Sequence, residues 1–261
     1  MTTLHPRARH SVIAAMTALL VVLVSTSPVA AFARRPIFPL PPLPLTGIII
    51  AIDPGHNGGN ATHASQISYP VWVGSEWNPC NRSGTATKSG YPEHKFNWLT
   101  SMAVKSRLEA LGATVYLTHP NDTGVGPCVT VRSSLGTRVG AALEVSIHAD
   151  GAASEFHGFH INHPGVIKGW TDDIAASSLV LAKAIRDAMV AGGTPVANYY
   201  ATNGLKTRVT LGTLNESDIP IVLIECGNMK NAGDAAKMTS SAGRAKYADG
   251  IVAGIRRYLH K

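Results

Sequence analysis

Three apolar runs punctuate the chain, and each ends on a polar residue able to bind a metal or move a proton. Ile48-Ile49-Ile50-Ala51-Ile52 stops at Asp53-Pro54-Gly55-His56. Leu143-Glu144-Val145-Ser146-Ile147 leads into His148-Ala149-Asp150, and Ile219-Pro220-Ile221-Val222-Leu223-Ile224 into Glu225-Cys226-Gly227. Runs rich in β-branched residues read as strands buried in a sheet, and Asp-Pro-Gly favours a tight turn over a continuing strand. In open α/β sheets, ligands collect outside the carboxyl ends of the strands. If the three strands are parallel neighbours, His56, His148 and Glu225 converge.

Between these runs the apolar period lengthens to that of helices. Phe96, Leu99, Ala103, Val104, Leu108 and Leu111 form one stripe, opened by Tyr91-Pro92-Glu93 and closed by Gly112. Residues 129–143 read as a short helix carrying Arg132 and Arg138. Residues 172–190 form another, with Ile174, Leu181, Ile185 and Met189 inward, and 241–258 a last one with Tyr247, Ile251, Ile255 and Tyr258 on one face. Further strands are predicted at 114–118 and 158–161. The polar segment 57–91 is long for a plain connection, and Val71-Trp72-Val73 beside Gly74-Ser75 predicts a hairpin-like flap. Residues 194–218 read as irregular. Strands alternating with helices predict a single α/β domain, a largely parallel sheet flanked by helices.

The first residues belong to something else. Arg7, Arg9 and His10 precede a mostly apolar run from Val12 to Val24, and Ala31-Phe32-Ala33 supplies a small-x-small cleavage site. Residues 1–33 are therefore read as a secretory signal peptide, the run being short for a stable membrane span. Residues 34–46 are too proline-rich for helix or central strand and read as an extended tether. The folded domain is expected over 47–261.

The 261-residue chain carries a formal net charge of +7, and only Arg7 and Arg9 of its charged groups fall within 1–33. A basic exported domain suits an acidic envelope polymer, or simple solubility. No basic run is interleaved with aromatics, which argues against nucleic acid. Of the three cysteines, Cys226 lies within an apolar strand and reads as a small core residue. Cys80 and Cys128 lie in loops and are expected to form a disulfide outside the cell.

A catalytic zinc site takes three protein ligands from His and Asp/Glu and leaves a position open. His56 and His148 are the obvious nitrogens, and the absence of His-Glu-x-x-His excludes the helix-borne arrangement. Glu93, Asp53, Asp150 and Glu225 are all candidates for the third ligand. Glu225, placed after an apolar run, should be desolvated, which raises a carboxyl's pKa and suits a proton shuttle. A buried acid paired with Arg208 or Lys230 is the plainer alternative. The remaining histidines are expected at the surface or in loops, with His94 and His119 nearest to a supporting role.

Asp53 to Gly59, Glu93, Ser146 to Asp150 and Pro220 to Asn228 together resemble the zinc-dependent N-acetylmuramoyl-L-alanine amidases of the amidase-3 type. The resemblance runs from about 47 to 259 and is strongest to the secreted single-domain mycobacterial branch. It implies a twisted mixed sheet flanked by helices. It also implies zinc held by His56, Glu93 and His148, with Glu225 as the catalytic acid/base. Peptidoglycan or muramyl peptides would be the substrate, with Asn57, Arg132, Asp150 and Asn228 as substrate-side candidates. A monomer is expected. The chain departs from the family pattern in its long 57–91 segment, in Thr118-His119 where Thr-Arg is usual, and in Asn228 where an aromatic is common. Two competing readings are a zinc carboxypeptidase or endopeptidase on stem peptides, anchored by Arg132 or Arg208, and a non-catalytic wall-binding protein.

Overall fold

The computed structural model describes residues 41–261; the expected signal peptide and residues 34–40 of the tether lie outside them. Strand β1 (Ile49–Pro54) is followed by a 3-10 turn and the short helix α1 (Ala64–Ile67). Strands β2 (Pro70–Trp72) and β3 (Trp77–Pro79) form an antiparallel hairpin, so the hairpin expected in 57–91 is present. Then come α2 (Glu93–Ala110), β4 (Thr114–Leu117), α3 (Val129–Val139), β5 (Glu144–Asp150), β6 (His160–Pro164) and α4 (Ala175–Ala191). Strand β7 (Leu205–Arg208), α5 (Gly212–Asn215), β8 (Ile221–Asn228), α6 (Ala232–Thr239) and α7 (Ser241–Tyr258) complete the domain.

Strands β4-β1-β5-β8-β6-β7 make one six-stranded sheet. The first four are mutually parallel, as the convergence argument required; β6 runs antiparallel to β8, and β7 parallel to β6. The sheet is thus mostly parallel and mixed. Residues 194–218, expected to be irregular, contain β7 and α5; Lys206 and Arg208 on the edge strand gave no apolar signal there. The C-terminal part of the expected tether also belongs to the domain. Leu45 is wholly buried and its N–H donates to the Leu111 carbonyl at 2.8 Å.

The two faces of the sheet differ, because successive side chains alternate between them. Val145, Ile147, Val222 and Ile224 pack with Phe96, Leu181, Tyr247 and Ile251 into the main core, against α2, α4 and α7. The opposite face carries Ser146, His148, Leu223 and Glu225, and is contacted by the smaller α3 and α5. The main core therefore holds the sheet rigid from one side and leaves the other side for chemistry.

One buried ion pair ties these layers together. Asp53, at the end of β1, accepts hydrogen bonds from Arg132 Nη1 (2.8 Å), Thr118 Oγ1 (2.6 Å) and Ser146 Oγ (2.6 Å). Arg132 uses its other donors on the carbonyls of Pro54, His56, Gly126 and Pro127, between 2.6 and 3.0 Å. Both side chains are almost wholly buried. Burial pushes the Asp53 carboxyl up, but the Arg132 guanidinium, His148 and the two hydroxyls outweigh it and hold it well below the usual carboxylate range.

Removing one partner of such a pair strands the other charge, at a cost of about 3–5 kcal/mol. Arg132→Met should lose stability of that order in urea denaturation; a loss under about 1 kcal/mol would contradict the role given to the pair. The Asp53 contribution is present above its unfolded pKa, about 3.9, and is lost as pH falls through the lower folded value. The gap between the urea midpoints of wild type and Asp53→Asn should therefore be constant near pH 6 and narrow progressively as pH falls below about 4; a gap that stays constant would contradict the assignment.

Candidate metal and catalytic centre

His56 leaves β1 through the Pro54-Gly55 turn with φ of 63°, a left-handed value uncommon for a residue with a Cβ. Arg132 holds that turn through the His56 carbonyl, 2.6 Å from Nη2. The ring is fixed separately: His56 Nδ1 donates to the Arg82 carbonyl at 2.8 Å, which leaves Nε2 as the free lone pair. Gly55 is required beside it, since a Cβ there would lie 2.2 Å from the His148 ring. Gly84, with φ of +82°, likewise clears space for Glu93 and His56.

Glu93 begins α2, where the helix N-terminus favours an anion. Its Oε1 lies 3.1 Å from His56 Nε2 and 3.0 Å from His148 Nδ1. The same oxygen accepts from the Ala149 N–H at 3.2 Å and Asn97 Nδ2 at 3.3 Å, while Oε2 accepts from the Thr85 N–H at 2.9 Å. Burial pushes the Glu93 carboxyl up, but the two imidazoles pull it well below its ordinary value.

The three groups offer ligand atoms within 4.8 Å of one another. Tetrahedral ligands at zinc–nitrogen and zinc–oxygen bond lengths stand roughly 3.3 Å apart, so the cluster matches a metal's first coordination positions. The His56 tautomer points the same way. With Nδ1–H given to Arg82, His56 Nε2 and the Glu93 carboxylate are two acceptors facing each other, an arrangement satisfied only by a proton or cation between them. The residues present therefore fit a divalent metal held by two imidazoles and one carboxylate.

Glu225 stands across from this cluster. Its Cα is in register with His148 on the neighbouring strand, so both side chains rise from the same face. Oε2 is buried with no hydrogen-bond partner. Burial drives its carboxyl well above the usual range, Glu93 and Asp150 add to the rise, and Arg208 opposes it. A carboxyl so placed suits proton transfer to and from a reacting group. The cluster opens into a cleft of about 690 Å³ whose walls include the hairpin residues Glu76 and Asn78 together with Tyr199 and Arg208.

The family model described as N-acetylmuramoyl-L-alanine amidase, Amidase_3, matches residues 50–257. The chain belongs to this amidase family. It is 40% identical over 219 residues to an N-acetylmuramoyl-L-alanine amidase of Mycobacterium tuberculosis, spanning 84% of this chain and 89% of that one. Among solved structures it is similar to the amidase Ami1 of Mycobacterium smegmatis, with TM-score 0.78 and 41% identity over 83% of this chain and 98% of that chain. Ami1 of Mycobacterium abscessus gives TM-score 0.76 and 41% identity over 82% and 100%.

In this amidase the structure brings His56, Glu93, His148 and Glu225 together, and Asp150 beside them. Asp150 lines the cleft and accepts from the Tyr199 hydroxyl at 3.0 Å and the Gly151 N–H at 2.6 Å. The other residues expected on the substrate side are built into the scaffold instead. Asn57 is buried, its Nδ2 on the Gly126 carbonyl and its Oδ1 on the Gly58 N–H. Arg132 borders the cleft but spends all five N–H donors internally. Asn228 is wholly buried and fastens the 153–156 loop through the Ala153 and Phe156 carbonyls, at 2.8 and 2.9 Å. It therefore shapes the loop behind the site and not a substrate floor.

Cys80 and Cys128 are free thiols here, so the expected disulfide is not formed in the structure. Both are buried. Whether two neighbouring thiols are oxidised is set by the surrounding redox poise. Cys226 is a core residue as expected. His119 supports the site's turn, bridging the Pro54 and Asn121 carbonyls at 2.8 Å each, and His94 pairs with Asp122 at 2.8 Å. His160 and His163, expected outside, are buried in β6. The alternation of His160, Ile161 and Asn162 was the available signal for His160; His163 falls on the Ile161 face and had none.

The centre predicts a specific metal phenotype. Elemental analysis of purified protein should find about one divalent ion per wild-type chain, and at least ~10-fold less in His56→Ala and His148→Ala at matched free metal, as loss of one of three ligands requires. Full occupancy in either variant would reject the ligand set.

Proposed function

We propose that this chain is a zinc-dependent hydrolase that cleaves the amide between the lactyl group of N-acetylmuramic acid and L-alanine, in peptidoglycan or its muramyl-peptide fragments. The observation that carries the reading is the pairing of a metal-competent His56–Glu93–His148 cluster with the unpartnered Glu225 carboxyl beside it. Two imidazoles, one carboxylate and an open fourth position suit a catalytic zinc. When bound, zinc supplies Lewis-acid chemistry, acidifying water towards neutral pH and polarising the scissile carbonyl.

The chain's own residues supply the rest. The Arg82 carbonyl keeps the proton on His56 Nδ1, so that Nε2 stays available to the metal. Glu225 takes a proton from the attacking water at its buried oxygen and returns it to the alanine nitrogen as the amide breaks. The products are an intact glycan and a peptide with a free L-alanine amino terminus. A carboxypeptidase on the same site would instead release residues from the peptide's carboxyl end, and a binding protein would release nothing.

Residues 1–33 as a signal peptide would export the enzyme to the periplasm or wall, where its substrate lies. Among the described residues no helix is long and apolar enough to cross a membrane. In that oxidising setting Cys80 and Cys128 would close to a disulfide. Mass spectrometry of unreduced, exported protein should find the two peptides cross-linked; two alkylatable thiols would refute the bond.

Digestion of purified muramyl peptides, with and without chelator, tests the activity directly. Wild type should free L-alanine amino termini, and chelator should stop it. Glu225→Gln should keep its metal and lose about 10²–10⁴-fold in kcat. Near-normal turnover in that variant would remove Glu225 from the chemistry, and release of carboxyl-terminal residues alone would favour the peptidase.

A further inference from the structure

The polar face of the sheet does not end at Glu225. His160 on β6 is in register with Glu225, Asn162 lies two residues further along, and Lys206 on β7 is in register with Asn162. Arg208 follows on the same side of β7, because alternate residues share a face. His160 and Asn162 are almost wholly buried, yet His160 Nδ1 and Asn162 Oδ1 have no hydrogen-bond partner. Both residues line the cleft, as does Arg208. Buried polar atoms left without partners ask for an explanation, and a bound polar ligand is one.

The cations beside them are equally unsatisfied. Among the described residues neither Lys206 nor Arg208 has a carboxylate within ion-pair distance. The one side-chain hydrogen bond of Arg208 runs from Nη2 to Thr210 Oγ1, at 3.1 Å. Lys206 Nζ sits 4.7 Å, and the Arg208 guanidinium carbon 5.8 Å, from the centre of the Tyr200 ring. That ring lines the cleft and keeps both charges beside it without neutralising them. Two half-buried cations kept near one another without an anion are favoured only if an anion arrives.

We infer that Lys206 and Arg208 form a carboxylate-binding subsite for the stem peptide, with Asn162 Oδ1 accepting from a peptide N–H on the way, so that the peptide leaves the metal cluster across β8 and β6 towards β7. The inference rests on the amidase reading for the identity of the ligand. Strands lie about 4.8 Å apart, which puts β7 about 10 Å across the sheet from β8, and Arg208 further along it. Three to four extended residues at about 3.3–3.6 Å each cover that span. The group recognised is therefore a free carboxylate on the third or fourth stem residue, not the L-alanine next to the scissile bond. Of the other two arginines lining the cleft, Arg132 has no donor left for this task, and Arg82 stands beside His56 at the end of β1, four strands away from β7.

The test uses two probes, the tripeptide L-Ala-γ-D-Glu-diaminopimelic acid and the same peptide with its carboxylates converted to carboxamides. Calorimetric titration into metal-loaded wild type should show the acid form binding about 10-fold tighter, the size expected of a partly exposed charge-assisted contact. Arg208→Met should reduce that preference to about 1, Arg208→Lys should retain part of it, and 0.5 M salt should weaken the acid form alone. The ratio of kcat/KM for the corresponding muramyl tripeptides should follow the same order. Equal binding of the two probes to wild type, or an undiminished preference in Arg208→Met, would overturn the subsite. Because binding of the product peptide is read without turnover, failure of the subsite is distinguishable from failure of the amidase reading, which would appear as wild type releasing no L-alanine termini.

Discussion

One carboxylate oxygen, Glu93 Oε1, lies within 3.1 Å of nitrogens from two different imidazoles. For the His56 pair, whose Nδ1–H is given to Arg82, that contact is favourable only with a proton or cation between the two groups. The His56 Nε2 lone pair and the carboxylate left facing each other in a buried pocket repel, and the cost rises as the local dielectric falls. The rest of the architecture can be understood as the means of enforcing this contact. Three separate elements must arrive at one point: the turn after β1, the first residue of α2, and the end of β5.

Enforcement comes from beneath. The Asp53–Arg132 pair sits under the cluster, and Arg132 reaches the carbonyls on both sides of the His56 turn. A left-handed His56 costs conformational energy; the Arg132 and Arg82 contacts are what hold it there. On the other side, the core of α2, α4 and α7 against Val145, Ile147, Val222 and Ile224 fixes the spacing between His148 and Glu225. A metal centre needs that stiffness, because ligands misplaced by an ångström no longer share one ion.

Much of this was legible in the chain. Glu144-Val145-Ser146-Ile147-His148-Ala149-Asp150 alternates strictly, and its apolar positions are the core side while its polar positions are the site side. The strand-end positions of His56, His148 and Glu225 followed from the apolar runs alone, whereas Glu93 as third ligand was fixed only by family resemblance. Less was legible where structure depends on neighbours. Lys206 and Arg208 on an edge strand look like loop residues, because one side of an edge strand needs no partner. His160 looked exposed because a polar residue facing a cleft reads the same as one facing water. Asn57 and Asn228 misled for the converse reason. Their amides satisfy loop carbonyls from within the protein, and a sequence does not distinguish an amide that binds backbone from one that binds substrate.

The central claim is that His56, Glu93 and His148 grip one zinc ion. Diffraction data collected on crystals of the purified protein just above and just below the zinc absorption edge test it most directly. The account predicts a strong anomalous peak, present only above the edge, about 2.0–2.2 Å from one nitrogen of each imidazole and from a Glu93 oxygen. A peak absent from that position in zinc-supplemented crystals, or one coordinated by other side chains, would contradict it.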